Sequence, residues 1–111
     1  MLIAQRTLTL ASDPPATVPI RLYAPQKGDG KGWFCRFQID WPHGTVEKEG
    51  WGADQVQAIW IALQFIGLNL YHSEYHESGL LYLEKPGSGY GFPVPQNARD
   101  MLVGADAEFD G

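Results

Sequence analysis

The chain is 111 residues long, with 8 Lys and Arg against 13 Asp and Glu, a formal charge of −5 and 44% hydrophobic residues. A fold of this size hides roughly two-thirds of the surface of its extended chain, enough for one sizeable core and too little for two. The expectation is a single domain over residues 1–104 and an acidic, frayed tail at 105–111, while 4 Trp, 5 Tyr and 5 Phe with only 19% charged residues exclude disorder for the body.

The single cysteine, Cys35, cannot form an internal disulfide, and small secreted domains are commonly stapled by several, so a reducing cytoplasm is the expected setting. Residues 1–7 show no basic stretch ahead of an apolar run, and no apolar segment approaches the roughly 18 residues that span a bilayer. Neither leader nor membrane contact is expected. Residues 1–52 carry six basic and five acidic groups, whereas residues 53–111 carry two basic and eight acidic ones. That acidity, with no basic stripe to displace counterions, disfavours duplex nucleic acid as a partner.

Leu2–Leu10 reads as a first strand, with Leu8 and Leu10 on one face and Gln5, Thr7 and Thr9 on the other. Asp13-Pro14-Pro15 interrupts, because proline lacks an amide donor and fixes φ. Residues 17–24 follow as a second strand, Val18, Ile20, Leu22 and Ala24 facing one way and Pro19, Arg21 and Tyr23 the other. Residues 27–32 form a glycine-rich loop. Trp33–Trp41 is the strongest strand, with Trp33, Cys35, Phe37, Ile39 and Trp41 inward and Phe34, Arg36, Gln38 and Asp40 outward. Opposed residues of a hairpin share a face, so the even apolar positions of one strand must meet the odd ones of the next. That predicts Ala24 opposite Cys35, Leu22 opposite Phe37 and Ile20 opposite Ile39, with Tyr23 facing Arg36 outside. Trp41-Pro42-His43-Gly44 fits a type I turn with glycine in the left-handed conformation, leading to a short charged edge strand at 45–49. The sheet is expected to stop at Gly50-Trp51-Gly52.

Asp54 can cap a helix running to about residue 71, with Val56, Ile59, Leu63, Ile66 and Leu70 as its apolar stripe. Its opposite side, Asp54, Gln57, Ile61, Gln64 and Leu68, loses polarity towards the end, so the helix is expected to be covered on more than one side. Residues 80–84 read as a last strand, 86–95 as a loop that can lie across the domain, and 97–103 as one or two helical turns. The resulting fold is α+β: an antiparallel sheet of four to five strands with one long helix packed on one face, in the order β-β-β-β-α-β plus a tail.

Few residues suggest chemistry. Gly28, Gly30 and Gly32 lack the spacing and following helix of a phosphate cradle and read as a hairpin tip. His72 and His76, with Glu74 and Glu77 nearby, have the i, i+4 spacing of zinc ligands, but the glutamate a metallohydrolase places after the first histidine is Ser73 here. Cys35 lies among inward apolar residues and reads as core rather than nucleophile. No Gly-x-Ser-x-Gly elbow occurs, and the carboxylate pairs Glu47/Glu49 and Glu74/Glu77 lie in segments that read as solvated. The outer sheet face instead combines aromatic rings with guanidinium groups, the side chains that most often anchor interfaces.

Trp51-Gly52-Ala53-Asp54-Gln55-Val56-Gln57-Ala58 at the helix start and Gly91-Phe92-Pro93-Val94-Pro95 near the end resemble a family of small bacterial domains of unknown function. The resemblance spans most of residues 1–95 and implies a bacterial cytoplasmic domain, with no activity to carry over. The sequence thus points to a non-enzymatic module without cofactor, binding a protein or small ligand through Arg21, Tyr23, Phe34 and Arg36. The alternatives are a metal-binding or metal-dependent protein around His72, Glu74 and His76, and an accessory or immunity-like subunit that docks its acidic side on a basic partner.

Overall fold

Alternating runs become strands because successive side chains of an extended backbone point to opposite faces of the sheet. The computed structural model of the protein describes residues 1–30, 32–85 and 89–95. Its strands are β1 (Leu2–Leu10), β2 (Ala16–Tyr23), a two-residue β3 (Gln26–Lys27), β4 (Trp33–Trp41), β5 (Gly44–Gly52) and a two-residue β6 (Leu81–Tyr82). Helices α1 (Gln55–Tyr71) and α2 (Glu74–Glu77) lie between β5 and β6. All pairings are antiparallel, and β4 lies between β5 on one side and β2 with β3 on the other, followed by β1 and β6. The fold is α+β, an open antiparallel sheet with one main helix packed on it. The expected succession of four strands, a helix and a strand is present, with β3 as a short addition.

The β2–β4 register is the predicted one: Ile20 opposes Ile39, Arg21 opposes Gln38 and Leu22 opposes Phe37. It does not extend to Ala24 and Cys35. Pro25 has no amide to give the ladder, and pairing resumes one position out of step, with Gln26 opposite Phe34 and Lys27 opposite Trp33. Lys27 therefore belongs to a strand and not to the loop. Gly44 at the β4–β5 turn has φ +155°, outside the left-handed helical region expected for it. The returning strand runs on through Gly50, Trp51 and Gly52, pairing as far as Gly52 with Trp33, so the sheet does not stop where the glycines suggested. The last strand is shorter than residues 80–84.

Asp54 caps α1 as predicted, its carboxylate accepting from the Gln57 amide at 2.8 Å, while the Gln57 side chain accepts from the Ala53 amide at 2.6 Å. The first bond satisfies a donor that a helix start leaves unmade, and the second ties the residue before the cap to the first turn. α1 lies close on β5 because that strand offers glycine there: a Cβ on Gly50 would come within 2.5 Å of the Ala62 nitrogen, and one on Gly52 within 2.6 Å of the Ala58 nitrogen. Ala58, Ala62, Ile66 and Leu70 are fully buried in this seam, over Val18, Ile20, Leu22, Cys35, Phe37 and Ile39. Val56, expected in the apolar stripe, lies outside it and is 76% exposed, and Trp60 and Phe65 also reach solvent. The small residues Ala58 and Ala62 set which side of the helix can approach the sheet, and that rotates Val56 away.

Leu81 pairs with Leu10 at the β1 edge, so the chain crosses the sheet from one edge to the other through the helices. Tyr75 of α2 stacks on Trp41 with ring centres 5.1 Å apart. Residues 90–94 then close the core: Tyr90, Phe92 and Val94 are buried, and the Pro93 carbonyl sits against Gly67 of α1. This segment lies on the helix side and leaves the outer sheet face open. The expected helical turns at 97–103, the boundary at 104 and the acidic tail at 105–111 lie outside the described residues.

Candidate functional site

Pairing register assembles the outer face row by row. Leu2, Tyr23, Arg36 and Glu49 form one row across β1, β2, β4 and β5, and Phe34 beside Trp51 forms the next towards the sheet end. The four residues singled out from sequence, Arg21, Tyr23, Phe34 and Arg36, all lie on this face and are all half-buried. The Arg36 guanidinium lies over the Tyr23 ring, 4.6 Å from its centre, and the Phe34 and Trp51 rings are 5.1 Å apart. The Tyr23 hydroxyl donates to the Gln38 side chain at 2.7 Å.

Both arginines of the face already have counter-charges. Arg21 donates to Asp40 at 2.6 Å, and Asp40 also accepts from the Thr45 hydroxyl at 2.6 Å. These two donors hold the Asp40 carboxyl below the usual carboxylate range, Arg21 most of all, and the same bond raises the guanidinium pKa. Arg36 Nε lies 3.2 Å from Glu47 as an ion pair. That nitrogen has no solvent contact and no well-aligned hydrogen bond, so its position is set by charge and by the ring beneath it.

Two members of the patch escaped sequence reading. Trp51, 46% exposed, stands beside Phe34, and Leu2, also 46% exposed, stands opposite Tyr23. Continuing the alternation Thr45, Glu47, Glu49 by one step reaches Trp51, but the flanking glycines read as a stop. The glycine loop has its explanation here too. A Cβ on Gly28 would fall 2.5 Å from the Trp51 ring and one on Gly32 3.2 Å from it, so the loop's glycines make room for the indole.

The other candidates are dispersed. α1 ends at Tyr71, His72 is its C-cap, and the Ser73 hydroxyl accepts from the His76 amide to start α2. His72 and His76 therefore do not share one helical face. His72 and Glu74 are exposed, whereas His76 turns inward and meets the Tyr90 hydroxyl at 2.5 Å. Among the described residues, no three His, Cys, Asp or Glu side chains gather as a metal site would require. The buried Cys35 thiol donates to the Tyr23 carbonyl at 3.2 Å, and burial raises its pKa, the reverse of what an attacking thiolate needs. No helix among the described residues is long and apolar enough to cross a membrane.

No curated protein and no solved structure matches the chain. The family model described as a domain of unknown function, DUF6968, matches residues 4–94, which include the first segment that carried the resemblance and the second as far as Val94, and the chain belongs to that family.

Proposed function

We propose that this protein is a non-enzymatic binding module that takes a protein partner on the aromatic end of its outer sheet face. The observation that carries the reading is the exposed Trp51 and Leu2 flanking the Arg36–Tyr23 stack and Phe34, an aromatic and arginine cluster of the composition that dominates interface energetics. Its side chains are held by one another before any partner arrives, which lowers the ordering cost of binding. A flat face suits a macromolecule better than a small ligand. Asp40 and Glu47 neutralise its arginines, which favours a protein over single-stranded nucleic acid, whose binding depends on surplus positive charge. The buried thiol and the dispersed histidines support a non-catalytic role. The setting that goes with this reading is the bacterial cytoplasm.

The test is capture from native extract followed by reconstitution from purified components, using the intact chain, Trp51→Ala, and the double variant Tyr23→Ala/Arg36→Ala. The intact chain retains a partner that both variants lose. Their thermal midpoints stay within about 5 °C, the shift that roughly 1 kcal/mol produces in a domain of this size. Equal retention by all three proteins, or variants that unfold, would overturn the proposal.

A further inference from the structure

The inner side of the molecule holds a concave site. A cleft of about 260 Å³ opens between β1, β2, α1 and residues 91–93, with Ile20, Leu22, Leu63, Ile66 and Phe92 as its apolar walls and Arg6 at its rim. Engineered apolar cavities of about 150 Å³ hold benzene, so this one has room for a ring or short chain with a polar head. Its volume lies just below the roughly 300 Å³ at which common ligand sites begin, which limits the guest to a small molecule.

Arg6 gives the cleft its chemistry. It shares the parity of Leu8 and Leu10, placing a cation on the core-facing side of β1. Its guanidinium carbon lies 5.0 Å from the centre of the Phe92 ring, and Nη1 donates to the carbonyls of Tyr90 at 3.1 Å and Gly91 at 3.0 Å. Those bonds fix the plane of the group and leave Nε and Nη2 without a hydrogen-bond partner among the described residues. That remaining edge is the fork that matches a carboxylate with two parallel bonds. Arg21 and Arg36 each have a carboxylate within ion-pair distance, and among the described residues Arg6 has none. Gly91 has φ +79°, a backbone conformation that favours glycine, and its carbonyl is one of the two that hold Nη1.

We propose that this cleft binds a small monocarboxylic acid, its ring or aliphatic tail against Leu63, Ile66 and Phe92 and its carboxylate on the Nε/Nη2 edge of Arg6. Arg6 is exposed at the rim, where its one guanidinium supplies a single positive charge for a monoanion while the apolar walls receive the tail. The site lies on the face opposite the proposed interface, and the two readings stand independently.

The test compares 3-phenylpropionate with neutral 3-phenylpropanamide by calorimetry and by amide shifts of the isotope-labelled chain. The acid is expected to shift Arg6, Leu63, Ile66 and Phe92, and the amide to bind about tenfold more weakly, as loss of a charged hydrogen bond implies. Arg6→Gln, which removes the charge and the two-pronged donor edge, should weaken the acid about tenfold and leave the amide unchanged. Leu63→Trp, which fills the cleft, should abolish both, and Trp51→Ala on the outer face should change neither. Equal affinity of acid and amide for the intact chain, shifts elsewhere, or no saturation at millimolar acid would overturn the proposal without any variant having to fold.

Discussion

His76 shows how a single side chain ties the last described segment to the helices. Its Nδ1 meets the Tyr90 hydroxyl at 2.5 Å, its ring stands edge-on to Tyr71 with centres 4.8 Å apart, and burial lowers its pKa even though neighbouring Glu77 favours the charged form. In the neutral ring with hydrogen on Nε2, Nδ1 accepts a hydrogen bond from the tyrosine hydroxyl. A histidine whose folded pKa lies below its unfolded value binds more protons when unfolded. Its contribution is therefore full above about pH 6.5 and is lost as pH falls from there through the folded pKa. The urea midpoint should decline between pH 7.5 and 5.5, and His76→Gln should flatten that decline. An undiminished decline in the variant would assign it to another group. Asp40 has the same sign at lower pH: stabilised as the anion by Arg21 and Thr45, it contributes above the ordinary carboxylate range and loses that contribution as it is protonated.

At the scale of elements, the contact between β5 and α1 decides the architecture. Gly50 and Gly52 let the helix backbone approach the strand, and Ala58 and Ala62 complete the fit. Gly50→Ala would set a methyl group 2.5 Å from the Ala62 nitrogen, and backbone cannot swing aside as a flexible side chain can. The expected loss is about 1–3 kcal/mol from overpacking, read as a lower thermal midpoint with unchanged strand content. A midpoint equal to that of the parent chain would show that helix and strand separate without cost. Strand existence was legible in the alternation of 17–24 and 33–41, and the helix start in Asp54. The extent of β5 was not legible, because Gly50-Trp51-Gly52 has the local chemistry of a turn and takes its real purpose from a helix packed across it.

At the scale of the molecule, the sheet has one face under the helix and one face that no other described residues cover, and residues 90–94 complete the covered side. Gly67 is the contact that admits them, since a Cβ there would fall 2.1 Å from the Pro93 carbonyl oxygen. Gly67→Ala should lift this segment while the strands stay paired. The amides of Tyr90, Phe92 and Val94 should then exchange faster with solvent, with those of β2 and β4 still protected. Unchanged exchange at 90–94 would show that the segment is anchored elsewhere. Arg21, Tyr23, Phe34 and Arg36 could be placed on the open face from parity alone. Their partners Asp40, Gln38 and Glu47, and the neighbours Leu2 and Trp51, follow from register between strands.

Local periodicity was thus enough to determine the inward and outward positions of 17–23 and 33–41, because a strand reverses its side chains at every residue and a buried face tolerates no slip. It determined the helix and its cap for the same reason, since both depend on groups a few positions apart. Tertiary structure decided everything that joins distant positions. It turned two glycines from a stop signal into a helix seat and made Trp51 part of a surface. It also placed Arg6 beside an apolar cleft whose other wall comes from more than eighty residues later. Such contacts leave no periodic trace, because they depend on the distance between elements after packing and not on the order of residues within one.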